Sequence, residues 1–271
     1  MRARPFVVTS LLVLTACSGH DDQRSGEDSL PSATPASTTS GATPGETLTS
    51  PSPTGAVPLP DGYLVPGPYR FVVRVDCEGV KDDPIACPDG VPDPPPIPVE
   101  LTVPAGWEHP EGFPVVWTLA APEGQEGALV LGWTSNTVGV QSDPCAQRSH
   151  ELPDVAVGPA VDDFVDTVVA QPWYDGSDPV HAKVGGAPGR YFTFTGPAHL
   201  GRCFEWRPWD PGFFAQGPSN TWEVWVLDVH GHRVVVVADY FPETSRRTIA
   251  QLHAMVRSLH FGRPSSERDP S

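Results

Sequence analysis

Trp222-Glu223-Val224-Trp225-Val226-Leu227-Asp228-Val229-His230-Gly231-His232-Arg233-Val234-Val235-Val236-Val237-Ala238-Asp239-Tyr240 is the stretch whose reading decides the fold. Two β-branched and aromatic runs, 222–229 and 232–240, flank His230-Gly231, where glycine supplies the positive φ that a two-residue turn demands. Closing the turn there sets a register. Val224 stands opposite Val237, Trp225 opposite Val236, Val226 opposite Val235 and Leu227 opposite Val234. Asp228 then faces Arg233 as an opposite-charge cross-strand pair. Both faces of this hairpin are apolar, so it belongs in the middle of a sheet with cover on each side. One cover follows directly: a helix is predicted over 244–260, opened by Pro242 and a Thr/Ser cap candidate. It presents Ile249, Leu252, Val256 and Leu259 to the sheet and turns Arg246, Arg247 and Arg257 outward.

Upstream, Val161, Phe164, Val165, Val168 and Val169 recur at one face of a second helix, with Asp162 and Asp163 in the first turn, where the helix dipole favours negative charge. Residues 69–76, 99–103, 115–119 and 128–134 are short β-branched or aromatic runs between Gly/Pro signals and read as strands. The 88–98 segment carries too many prolines for a central strand and reads as an extended loop. The expected fold class is α+β: a single domain over 61–262, with a mostly antiparallel sheet, a mid-domain helix and a C-terminal helix packed on it.

The N-terminal 60 residues differ in kind. Arg2 and Arg4, the apolar run from Phe6 to Leu14 and the small residues before Cys17 read as a secretory signal, 1–16. The apolar run is shorter than the roughly 20 residues a membrane-spanning helix needs. Leu14-Thr15-Ala16-Cys17 resembles the lipobox of bacterial lipoproteins, which implies lipid on the Cys17 thiol (a diacylglycerol, with palmitate as a typical chain) and an extracytoplasmic location at the cell membrane. Residues 17–60 are rich in Ser, Thr, Pro, Gly and Ala and lack Phe, Trp and Tyr. Such a segment buries too little apolar surface to offset its ordering entropy and reads as a disordered linker. Residues 263–271 read as a polar tail.

The formal net charge is -16, and losing Arg2 and Arg4 with the signal would take it to -18. A chain so acidic is repelled by phosphate backbones, which argues against nucleic-acid binding. Besides Cys17 there are four cysteines, Cys77, Cys87, Cys145 and Cys203. An even set in an exported chain reads as two disulfides, and of the three possible pairings Cys77–Cys87 and Cys145–Cys203 are expected. Each would stabilise the fold by about 2–4 kcal/mol. Their spacing gives no zinc motif.

Several motifs carry a family resemblance. They are Gly158-Pro159-Ala160-Val161-Asp162-Asp163-Phe164-Val165, Val184-Gly185-Gly186-Ala187-Pro188-Gly189-Arg190-Tyr191, Gln216-Gly217-Pro218, the hairpin from Trp225 to Arg233, and Ala238-Asp239-Tyr240-Phe241-Pro242-Glu243-Thr244-Ser245. In this order they resemble a family of uncharacterised actinobacterial secreted and lipid-anchored proteins, in which Asp-Gly is common at the turn and Thr at the helix cap. Here His230-Gly231 and Ala160 stand instead. The resemblance implies an exported α+β domain and brings no established activity. More remotely, the helix, hairpin and C-terminal helix look like the layout of PsbP-type proteins.

No nucleophile elbow, zincin, phosphate-loop or EF-hand motif is present. Asp76, Glu78, Asp82, Asp83, Asp89 and Asp93 suit calcium by chemistry but lack the alternating ligand spacing, and read as a solvated loop. His230 and His232, with His181, His199 and His150 elsewhere, read as exposed histidines rather than metal ligands. No cofactor or metal is expected. The best candidate contact surface lies in Cys203-Phe204-Glu205-Trp206-Arg207-Pro208-Trp209-Asp210-Pro211-Gly212-Phe213-Phe214, with Trp206, Arg207, Trp209, Phe213 and Phe214 as ligand contacts. The same rings could instead fold back over the sheet as a satellite core. Trp173 and Tyr174, which follow the upstream helix, join the same surface or cap that helix. The chain thus reads as a binding module, not an enzyme, with an envelope glycan or protein as partner. Two rival readings stay open: a hydrolase whose Asp, Glu and His converge in space (Glu205 or Asp210 beside a histidine), and a structural or regulatory ectodomain.

Overall fold

The structure is a computed structural model that describes residues 55–73, 96–110, 115–118, 128–133, 139–145, 153–201, 203, 206–210, 215 and 217–264. Cys17, Cys77 and Cys87, the acidic residues from Asp76 to Asp93, His150, Phe204, Glu205, Phe213 and Phe214 lie outside the described residues.

The elements follow in chain order. They are β1 (Val57–Pro58), β2 (Gly62–Tyr63), β3 (Gly67–Val73), β4 (Ile97–Val103), β5 (Glu108–His109), β6 (Val115–Trp117), β7 (Ala128–Trp133), β8 (Gly139–Val140) and β9 (Val155–Ala156), then α1 (Val161–Val169). The chain continues with β10 (Val180–Val184), β11 (Ala187–Thr195), β12 (Trp209–Asp210), β13 (Thr221–Val229), β14 (His232–Tyr240), α2 (Arg246–Ser258) and β15 (His260–Phe261). An eight-stranded sheet runs β10-β11-β13-β14-β7-β6-β5-β2, a smaller one β1-β3-β4-β15, and a three-stranded one β12-β8-β9. Among the described residues every strand pairing except the parallel β1–β3 pair is antiparallel, so the class is α+β.

The β13–β14 hairpin holds the centre of the large sheet in the register the sequence dictates, from Val224 opposite Val237 to Asp228 opposite Arg233. At the turn both His230 and Gly231 take positive φ, 55° and 85°. These are the signs of a type I′ turn, whose twist matches the strands it joins. Gly185 and Gly186, at 57° and 86°, close the β10–β11 hairpin in the same way.

The two faces of β13–β14 feed two cores. Leu227, Val229, Val234 and Val236 pack with Leu252, Met255 and Val256 of α2 and with Val99, Leu101 and Val103 of β4. Val224, Val226, Val235 and Val237 pack with Phe164, Val165 and Val168 of α1 and with a large aromatic group. Both predicted helices are present. Ser245 caps α2, its Oγ accepting from Thr248 N at 3.1 Å, and Arg246, Arg247 and Arg257 are exposed. At α1, Ala160 has no side-chain acceptor, but its N–H donates to Asp163 Oδ2 at 3.0 Å, one half of a capping box.

Three boundaries differ from expectation. Val57 and Pro58, placed in the linker above, pair with Tyr69 and Arg70, and Leu59 N donates to Arg70 O at 3.0 Å. Ordered chain thus begins before residue 61. Ile97 and Pro98 belong to β4 rather than to a loop, because Pro98 sits where the ladder needs only its carbonyl, which accepts from Gly262 N at 2.7 Å. The helix predicted over 244–260 ends at Ser258, and His260–Phe261 pairs with β4 as β15. Cys145 and Cys203 form the expected disulfide, with Cα atoms 5.1 Å apart.

Candidate functional site

Where it is described, the 203–214 segment takes the second of the two arrangements expected of it, a satellite core, and Trp206 and Trp209 are not a contact surface. Trp206 is 5 % exposed and Trp209 is 2 % exposed, so neither presents a platform to a ligand. Trp209 packs edge-on against Trp222 and Phe164, at 5.5 and 5.4 Å between ring centroids. Trp206 packs edge-on against Trp173 at 5.5 Å and touches Trp222 and Phe194. The physical reason is twofold. β12 pairs Trp209 with Val140, drawing the loop onto the sheet, and the Cys145–Cys203 bond holds its start there. Burying rings of this size is worth more than displaying them. Trp173 and Tyr174 join the same core. Arg207 is half-buried.

The described histidines build no metal site. His230 and His199 are exposed, and no group of three or more His, Cys, Asp or Glu able to hold a metal occurs among the described residues. His181 and His232 instead line an open groove of about 880 Å³. It lies between the entry to α1 and the β10–β11 hairpin, and Lys183, Arg190, Arg233 and Asp228 complete its polar wall. Arg190 donates to Asp162 Oδ1 through Nη1 and to Pro179 O through Nη2, each at 3.3 Å. Arg233 donates to the carbonyls of Gly158 and Ala160 and lies over the Phe164 ring at 5.3 Å. Burial lowers its guanidinium to about 10, with Asp163 opposing. Although Asp228 is in register with Arg233, its Oδ1 accepts from Gly231 N at 2.7 Å, tightening the turn. Arg190 and Arg233 thus serve mainly to fix the groove's walls. Lys183 is exposed and has no carboxylate partner among the described residues.

A second pocket, of about 420 Å³, opens on the opposite face of β10. In its lining the buried Glu223 accepts from three side chains. Tyr191 Oη donates at 3.1 Å, Tyr240 Oη at 3.0 Å, and His253 Nε2 lies 2.9 and 3.0 Å from the two carboxylate oxygens. An acceptor-only carboxylate fixes His253 with its proton on Nε2, so Nδ1 is the nitrogen left over. Burial pushes the Tyr240 phenol up to about 12, and the Glu223 charge adds to the effect. Tyr191 is raised for the same two reasons, burial first. No residue of this cluster was singled out from the sequence. A glutamate inside an apolar strand, with nothing polar beside it in the chain, was the available signal, since such a group must find donors elsewhere.

One row along the hairpin, on the other face, Asp239 is 3 % exposed and accepts from Asn220 Nδ2 at 2.6 Å. Burial pushes its carboxyl up to about 8, with the Asn220 bond opposing. It stands opposite Trp222, beside the aromatic core, and lines neither opening.

Compared with models of known protein families and with curated proteins, the chain matches none. Among solved structures it is similar to the solution structure of cyanobacterial PsbP (CyanoP) from Synechocystis sp. PCC 6803, at 13 % identity, covering 78 % of this chain and 100 % of that one, with a TM-score of 0.32. The likeness to PsbP is remote and structural.

Proposed function

We propose that this chain is an extracytoplasmic binding module, held at the cell membrane by lipid on Cys17, which takes an anionic envelope ligand in the groove between α1 and β10. The observation that carries the reading is where the cations gather. In a chain of net charge -16, the larger opening is walled by the cations Lys183, Arg190 and Arg233, with His181 and His232 beside them. Asp162 and Asp228 share that wall, but each is already engaged, by Arg190 and by the Gly231 amide. With Lys183, Arg190 and Arg233 against Asp162 and Asp228, the concave wall keeps an excess of positive charge, and such a wall focuses its field, so an anion is drawn there against the repulsion of the rest of the surface. The Leu14-Thr15-Ala16-Cys17 motif supports the anchor. The Cys145–Cys203 bond fits an oxidising compartment.

The groove replaces Trp206 and Trp209 as the contact surface. One observation favours the rival hydrolase reading, the Glu223–His253 pair, because a carboxylate-oriented imidazole is half of a catalytic set. The residues lining that pocket include no Ser, Thr or Cys to act as nucleophile, so binding is the better reading.

The test is titration of the full chain with poly-L-glutamate and with polyphosphate, using poly-L-lysine as control. Both polyanions should bind, more weakly as salt is raised. His181→Asp combined with Lys183→Glu, both at exposed positions, should weaken binding roughly tenfold or more. Unchanged affinity in that variant would sink the groove. For the anchor, Cys17→Ser should move the protein from the membrane fraction to the soluble fraction, and continued membrane retention would count against lipidation.

A further inference from the structure

We infer that the groove's ligand is an extended acidic peptide, which adds a strand to the outer edge of β10. The inference rests on the anionic-ligand reading above and names the form that ligand takes. β10 ends the eight-stranded sheet, and among the described residues no strand pairs with its outer edge. Five residues long, it offers about 16 Å of unpaired backbone at roughly 3.3 Å per residue. Its residues 180–184 contain no proline, and Val180 stands 53 % exposed.

The two openings flank this edge, and both are lined by His181, Ala182 and Lys183. Register decides what each offers. His181 and Lys183 stand opposite Arg190 and Pro188, on the groove face with its cations. Val180, Ala182 and Val184 stand opposite Tyr191, Gly189 and Ala187, on the face where Tyr191 and Trp225 pack at 5.0 Å between ring centroids. Side chains of an added strand alternate between the same two faces. A peptide paired to β10 therefore sends every second residue into the cationic groove and the others against the Tyr191–Trp225 wall. Acidic residues suit the first set and aliphatic residues the second. Main-chain bonds supply affinity in this mode and the flanking pockets supply selection. A competing role exists for Lys183, since a lone lysine on an edge strand also blunts edge-to-edge association. The two roles predict different results.

The probes are acetylated, amidated Glu-Val-Glu-Val-Glu, its Lys-Val counterpart, and two forms of the first, N-methylated either at every Glu or at every Val. In an added strand only one alternating set of N–H groups points at the edge. With the full chain, the Glu-Val peptide should bind. The Lys-Val peptide, one of the two N-methylated forms, and the parent peptide on Lys183→Glu should each bind roughly tenfold more weakly or worse. Equal affinity of the two N-methylated forms would overturn strand addition, while the groove would stand if poly-L-glutamate still distinguished wild type from Lys183→Glu. Loss of that distinction would remove the groove reading and this inference together. Unchanged peptide affinity with increased self-association in Lys183→Val would make Lys183 a guard of the edge and overturn the proposal.

Discussion

Glu223 and Asp239 are buried carboxyls on adjacent rows of one hairpin, facing opposite cores. Glu223 meets two tyrosine hydroxyls and an imidazole, whereas Asp239 meets one side-chain amide, that of Asn220. The difference teaches that donors, not depth, decide what a buried acid does. With three donors Glu223 ties β11, β14 and α2 together in the lining of a pocket. With one side-chain donor Asp239 is driven toward its neutral form among aromatic rings.

The hardest blow to the comparison falls on the rings around Asp239. Trp222→Ala should cost about 3–5 kcal/mol in thermal or urea unfolding, since it empties a site in contact with Trp206, Trp209 and Phe194. Its neighbour Trp225 faces the other core and is only partly buried, so Trp225→Ala should cost about half as much or less. Equal losses would mean the faces are not energetically distinct.

Next comes pH. Asp239 has a folded pKa of about 8, above the unfolded value of about 3.9. The folded chain therefore holds a proton that the unfolded chain has lost, and this group makes stability fall as pH rises from about 4 to about 8. Asp239→Asn retains an acceptor for Asn220 and removes the titration. Urea unfolding at pH 5 and pH 8 should show a gap on the order of a few kcal/mol in wild type that narrows in the variant. A gap of the same size in both would place the titration elsewhere.

Glu223→Gln should cost about 2 kcal/mol, because a carboxamide brings its own donors to a site that already has three. Tyr240→Phe, which removes one of those donors, should cost about 1 kcal/mol by the same measurement. If Glu223→Gln proved neutral while Asp239→Asn was not, the contrast drawn between the two acids would reverse.

Much of the fold was legible, and for definite reasons. The hairpin register followed from closing a two-residue turn at His230-Gly231, and the α1 face from spacings of three and four. The even cysteine set called for two disulfides with three possible pairings, and Cys145–Cys203 is one of the pairs expected. What escaped reading lacked periodicity. Trp206 and Trp209 lie in a Pro/Gly-broken segment, where nothing local says which way a ring points, and a two-residue pairing with Val140 settled the matter. The Glu223–His253 contact spans 30 residues between a strand and a helix. His253 falls between Leu252 and Met255 on α2, so its approach to the sheet depends on how the helix is set down. The groove joins α1 to two hairpins and could not be assembled from motifs that were each read alone.

The central place of β13 and β14 has a consequence in time. Their two-residue turn lets the pair close within microseconds, while β7 must be gathered from a distant part of the chain. Until it arrives, the β14 edge is open and two valine-rich faces are bare, a state in which neighbouring chains can pair with one another. Like charges push such half-formed chains apart, so the acidity that contributes little to the finished packing works in that interval.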